Sequence, residues 1–184
     1  MVESVLENTE LEVAVMVRPS SESFYYDRHY LDVMKKDVEL LQKAGVKRVV
    51  LGMLDENGNI DVDALDYVLE NVDKMGVTFH RAIDSSNDAV ESVKVLNKCE
   101  KVTHILTSGG PGKAVDNIDT IRKMVEISRP KIMIGSGLNL DAIDFIKSEI
   151  DDEKFDYDIH FGTYVQDENK IVDIEKVKEL VERF

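Results

Sequence analysis

Six short β-branched runs alternate with longer stretches of helical period from one end of this chain to the other. Such alternation is that of repeated βα units around a parallel sheet. The runs are Glu12 to Val17, Arg48 to Gly52, Val77 to Arg81, His104 to Thr107, Lys131 to Gly135 and Tyr157 to Phe161. Each is nearly all apolar, which predicts strands buried on both faces. The intervening stretches predict helices over Arg28 to Ala44, Asp63 to Lys74, Ala89 to Asn97, Ala114 to Ser128, Leu140 to Ser148 and Ile174 to Phe184. In the first, Tyr30, Leu31, Val33, Met34, Val38, Leu40 and Leu41 recur at helical intervals, while Lys35, Lys36, Asp37 and Glu39 fall largely on the other side. One face therefore packs on the sheet. Gly45 and Gly76 follow predicted helix ends, where glycine takes a left-handed cap most easily, and Asp55-Glu56-Asn57-Gly58 reads as a turn. No linker, low-complexity tract or charge block divides residues 1 to 184, which predicts one domain.

Length then limits the architecture. A complete eight-unit barrel usually needs about 200 to 250 residues, and this chain has 184. The expected fold class is α/β, a TIM-like parallel β/α barrel that is incomplete, with about six strands instead of eight. Six strands do not easily close an eight-strand interior, so the first and last runs should be edges with unpaired backbone groups. A short helix over Met1 to Asn8 and the segment after His160 are available to fold across them. The expected outcome is a homo-oligomer joined through the open edges, with a distorted monomeric barrel as the alternative.

Charge excludes some partners. The formal net charge is −14, which repels a phosphate backbone, and the basic residues are scattered, so nucleic acid is not an expected partner. The acidity reads as solvated helix faces. No apolar run approaches the roughly 20 residues of a membrane span, so no membrane partner is expected. The opening MVESVLENTE lacks the positive charge and apolar stretch of a secretory signal, and a cytoplasmic location is expected. The single cysteine, Cys99, can form no internal disulfide. It fits a reducing compartment and reads as a small buried residue.

In parallel α/β architectures the ligand crevice lies at the C-terminal ends of the strands. Here those ends are polar, placing Arg18, His80, Arg81, Asp84, Thr107, Ser108 and His160 near one rim. The loops Thr107-Ser108-Gly109-Gly110 and Gly135-Ser136-Gly137-Leu138-Asn139 each join a strand to a helix, and small residues let backbone N–H groups approach an oxyanion there. Phosphate or carboxylate is the natural ligand, with Gly162-Thr163 as a third such loop. Neither loop carries the dinucleotide fingerprint. His80 could move a proton near neutral pH, Arg81 could neutralise negative charge, and Asp84 could orient either. The competing reading makes Arg81 and Asp84 an ion pair at the rim and His80 an inward residue bonded to backbone. Arg18 likewise reads as a ligand clamp or a structural cation. His29 and His104 read as structural.

The segments VMVRP, Phe24-Tyr25-Tyr26, Gly58-Asn59-Ile60-Asp61, VTFHRAID, ILTSGG, MIGSGLN and IHFGT stand in the order of the CutC family, and over nearly its whole length the chain resembles that family. The resemblance implies a TIM-like barrel, a cytoplasmic location and an association with copper handling, and it adds Tyr26 to the ligand-binding candidates. Two departures stand out. The family opens with a β-α-β portion carrying cysteines that has no counterpart here, and Pro19-Ser20-Ser21-Glu22-Ser23 replaces a stretch with a second arginine and two glycines. The absent cysteines are the natural ligands of Cu(I), a soft ion. What remains for copper is His80 and His160 as imidazole ligands of Cu(II), since the seven methionines are dispersed and read as core filler. The resulting expectation is a CutC-like copper-homeostasis protein with a rim site for a small anionic ligand. Its alternatives are an enzyme acting on a phosphorylated or carboxylated metabolite with His80 as acid/base, or a truncated remnant of little function.

Overall fold

The computed structural model describes residues 1–151 and 153–183. Six parallel strands, β1 (Ala14–Met16), β2 (Arg48–Leu51), β3 (Gly76–Phe79), β4 (Val102–Thr107), β5 (Lys131–Gly135) and β6 (Tyr157–His160), pair in chain order. They curl into a half-barrel with helices alternating between them. The helices are α1 (Val2–Glu7), α2 (Arg28–Lys43), α3 (Val62–Val68), α4 (Ala89–Leu96), α5 (Ile118–Ile127), α6 (Leu140–Glu149) and α7 (Ile174–Arg183). The predicted end of the last helix, Phe184, lies outside the described residues. β1 and β6 are the end strands of the sheet, as expected.

Register divides every strand between two faces, because residues paired in a parallel sheet project the same way. Val49, Val77, Phe79, Ile105, Ile132 and Ile134 form the face under the helices and are all buried. The other face is concave and carries Met16, Val50, Thr78, His104 and Lys131 across one row of pairings. This corrects the expectation of strands buried on both faces. In the half-barrel the concave side of the end strands meets solvent, so Met16 is 57% exposed.

Capping explains most helix starts. Asp27, Asp61, Asp88 and Asn139 each accept a backbone N–H of the first turn of α2, α3, α4 and α6, satisfying donors that have no partner within the helix. Two expectations fail here. The helix predicted to run to Lys74 stops at Val68, because neighbouring side chains take its backbone groups. Lys101 Nζ donates to the Leu69 carbonyl, Gln42 Nε2 donates to that of Asn71, and Gln42 Oε1 accepts the Asp73 N–H. Gly76 is also no left-handed cap. It opens β3, and a Cβ there would stand 3.0 Å from Thr103 Oγ1. Gly45 does take the left-handed conformation, with φ at +89°. The helix predicted over Ala114 to Ser128 begins with a 3-10 turn, Ala114–Asn117, before α5.

Candidate functional site

The C-terminal ends of β1, β2 and β3 bring together Arg18, Gly52, Thr78 and His80, with Phe24 and Tyr26 from the segment that follows β1. The Val17 N–H donates to the Val50 carbonyl (2.9 Å), which sets Arg18 just past the end of the ladder. The Leu54 N–H donates to the Phe24 carbonyl (2.9 Å), which draws the segment after β1 against the end of β2. The Arg18 guanidinium then lies over the Phe24 ring at 4.6 Å, and that ring tilts against the His80 imidazole at 5.3 Å. Gly52 leaves room for the imidazole, because a Cβ at this position would stand 2.6 Å from His80 Nδ1.

His80 is buried and its protonation state is determined by its contacts. The Ala82 N–H, which can only donate, points at His80 Nδ1 (3.2 Å). A contact with its own backbone acts to raise the pKa, but the Ala82 donor requires Nδ1 to accept. Burial, the largest cause, and the nearby Arg18 charge push the pKa from 6.5 down to about 4. At neutral pH the ring is therefore neutral with its proton on Nε2. That Nε2, the Tyr26 hydroxyl and the Thr78 hydroxyl are buried and have no hydrogen-bond partner among the described residues. Arg18 lies close enough to Tyr26 to oppose the upward push of burial on the phenol pKa, yet it does not meet the geometry of a hydrogen bond. A buried polar group without a partner costs about 1–3 kcal/mol.

A second cluster lies where β3 and β4 end. Asp84, itself buried, accepts from Arg81 Nε (2.7 Å), the Ser108 N–H (3.0 Å), the Ser108 hydroxyl (2.9 Å) and the Thr107 hydroxyl. Arg81 Nη2 also donates to Ser108 Oγ (2.7 Å), and the Gly109 N–H donates to Thr107 Oγ1 (2.8 Å). The loop from Thr107 to Gly110 thus does bind a carboxylate, but it is the chain's own. The Ser108 hydroxyl has one proton for Asp84 or the Gly110 carbonyl (2.7 Å). Asp84 orients Arg81, and its hydrogen bonds go to Arg81, Thr107 and Ser108 and not to His80.

The loop from Gly135 to Asn139 packs on its neighbour. Ser136 takes φ +95° and Gly137 φ +68°, and Ser136 Oγ donates to the Gly112 carbonyl (3.0 Å). A Cβ on Gly137 would stand 2.7 Å from Lys113 Cγ, and one on Gly135 would stand 2.9 Å from Leu106 Cδ1 and 3.4 Å from the His160 ring. β4 and β5 lie between the strands that carry His80 and His160, so the structure does not bring the two imidazoles together. His104 faces Asp158 at 3.7 Å on the concave side.

Copper fits these residues poorly. The proton on His80 Nε2 occupies the lone pair a metal needs, and among the described residues no group of three His, Cys, Asp or Glu side chains could hold a metal ion. The residues that sequence reasoning passed over are Thr78, Phe24 and Gly52. Thr78 stands two positions before His80, on the same face by strand alternation. Gly52 is the residue that the register of β2 with β3 sets beside His80.

A CutC family model matches residues 1–151 of the chain. A CutC family protein of Xanthomonas campestris is 35% identical over 140 residues, covering 75% of this chain and 57% of its own length. One from Histophilus somni is 32% identical over 158 residues, covering 83% and 64%. A copper homeostasis protein cutC homolog of Dictyostelium discoideum is 31% identical, covering 67% and 52%. A crystal structure of a CutC protein from Streptococcus agalactiae superposes with a TM-score of 0.75 at 27% identity, over 86% of this chain and 76% of that one. The chain thus spans a little over half the length of most curated relatives cited here.

Proposed function

The chain belongs to the CutC family, and from that premise we propose a copper-homeostasis protein whose half-barrel mouth binds a small anionic ligand through Arg18, Tyr26, Thr78 and His80. The observation that carries this reading is the set of three buried, unpartnered groups beside a guanidinium. His80 Nε2–H, the Tyr26 hydroxyl and the Thr78 hydroxyl can all donate, and Arg18 supplies the charge. A carboxylate or phosphate oxygen takes such bonds, and charge-assisted ones are about twice as strong as neutral ones. Arg81 is 41% exposed at the side chain and held in place by Asp84 and Ser108, which suits it to attract the anion at the rim. The stretch Gly135 to Gly137 supplies backbone at the far side of the same mouth.

Binding is favoured over turnover. An imidazole with its pKa near 4 is a weak proton acceptor at neutral pH, whereas general-base catalysis works best with a pKa near the operating pH. Copper handling by this chain, on this reading, does not run through His80 and His160. The free thiol of Cys99 is compatible with a reducing cytoplasm.

Thermal scanning tests the site. Phosphate, acetate and a sugar phosphate are compared with chloride at matched ionic strength, on the wild type and on Arg18→Gln. A ligand at a hundred times its dissociation constant adds about 2.7 kcal/mol, so at least one oxyanion should raise the melting temperature of the wild type and not of the variant. An equal response from both, or none from either, would refute the reading.

A further inference from the structure

We propose that residues 19–26 form a strap that opens to admit the anion and closes over it, carrying the Tyr26 hydroxyl into the site. The inference rests on the anion reading of the mouth and adds how a ligand enters. His80 Nε2 and the hydroxyls of Tyr26 and Thr78 are shut off from solvent, and their residues are 3–5% exposed. An anion in solution therefore reaches them only when what covers them moves. The Phe24 ring stands against the His80 imidazole, and Tyr26 is itself buried, and both residues belong to this segment.

The segment is fastened lightly. It lies between the end of β1 at Met16 and the start of α2 at Arg28, and it holds neither helix nor strand. Pro19, Ser21, Glu22, Ser23 and Tyr25 are exposed, and Tyr26 alone is buried. Three of its hydrogen bonds are local and travel with it. Arg18 Nη2 donates to the Ser21 carbonyl (3.2 Å), the Glu22 N–H to Ser20 Oγ (3.2 Å) and the Tyr25 N–H to Ser23 Oγ (2.9 Å). Two others fasten it to the turn after β2. The Leu54 N–H donates to the Phe24 carbonyl (2.9 Å), and the Tyr25 hydroxyl donates to the exposed Glu56 carboxylate (3.0 Å). Little apolar burial and exposed hydrogen bonds mark a segment that opens locally, at a free energy well below that of global unfolding.

What flanks the strap stays in place when it lifts. Asp27 caps α2 by accepting the Tyr30 N–H (3.1 Å), so the helix start does not depend on the strap. The His80 N–H donates to the Leu51 carbonyl (2.9 Å), which holds the floor of the site in the sheet. Closure over an anion gives the buried donors a partner, so the bound anion favours the closed state over the open one.

Hydrogen exchange followed by NMR tests the strap at two amides. The Leu54 N–H is bonded to the strap, and the His80 N–H is bonded to β2 beneath it. Without ligand, Leu54 should exchange at least about a hundredfold faster than His80, the signature of local opening. Phosphate or acetate, whichever raises the melting temperature, should slow Leu54 and narrow that gap. Tyr25→Phe removes the bond to Glu56 and no group of the site, so it should speed Leu54 exchange about threefold or more and leave His80 unchanged. Equal exchange of the two amides in the wild type would overturn the strap. So would an anion that raises the melting temperature without slowing Leu54 relative to His80, and in both cases the anion site itself would stand. No melting response to any oxyanion would instead remove the site, and with it the strap's role.

Discussion

His80 carries a pH dependence whose sign follows from its burial. Its pKa is about 4 folded against about 6.5 unfolded, so above pH 6.5 it is neutral in both states and contributes no dependence. As pH falls through that window the unfolded chain takes up the proton first, and stability is lost until both states are charged below about 4. The full loss is on the order of 3 kcal/mol. Urea melts of wild type and His80→Asn between pH 7 and 4 should diverge by that amount, with the variant the less pH-sensitive; parallel curves would mean that His80 is not buried neutral. Asp84 makes a different case, since removing it takes the acceptor from the buried Ser108 N–H, from the Thr107 hydroxyl and from Arg81 Nε, and leaves the Ser108 hydroxyl only the Gly110 carbonyl. Asp84→Ala should cost on the order of 3 kcal/mol, read as a lower urea midpoint at unchanged slope, and a loss under 1 kcal/mol would show the hub to be dispensable. The strand-end rule found Arg18, His80, Arg81 and Asp84 in the sequence. The ion pair of Arg81 with Asp84 and an inward His80 bonded to backbone stood among its readings and are the arrangement found. It did not show that His80 belongs with Arg18 and Phe24, because partnership depends on which loop folds over which strand.

Elements were legible where a single period governed them. β5 runs from Lys131 to Gly135 and α2 begins at Arg28, both as the pattern predicts. Legibility ended where tertiary contacts compete with the helix for backbone groups. Leu65, Val68, Leu69, Val72 and Met75 keep helical spacing and are all buried, yet Lys101 and Gln42 claim the backbone after Val68. The corner between β4 and α5 rests on Gly109, with φ at +76° and a would-be Cβ 2.7 Å from Ile121 Cγ1 and 3.0 Å from the Asn117 carbonyl oxygen. Left-handed strain of about 1–2 kcal/mol and overpacking of about 1–3 kcal/mol act together there. Gly109→Ala should therefore lower stability by at least about 2 kcal/mol in a urea melt, while Gly162→Ala, with open space around its Cβ, should change it little. Equal effects at the two positions would mean that the corner relaxes freely.

At the scale of the whole molecule the two polar clusters differ in what holds them. Arg81, Asp84, Thr107 and Ser108 satisfy one another where β3 and β4 end, whereas the Arg18 guanidinium and the His80 imidazole meet on the Phe24 ring. That ring is delivered by the segment after β1, which the Leu54 N–H and the Phe24 carbonyl fasten to the end of β2. Phe24→Ala keeps the backbone bond and removes the ring, so water should reach His80 and its pKa should move from about 4 back toward about 6.5. NMR titration of the imidazole in the wild type and in Phe24→Ala should show the variant taking up its proton at the higher pH. The same titration curve in both would show that the strands, and not the segment laid across them, keep the imidazole dry.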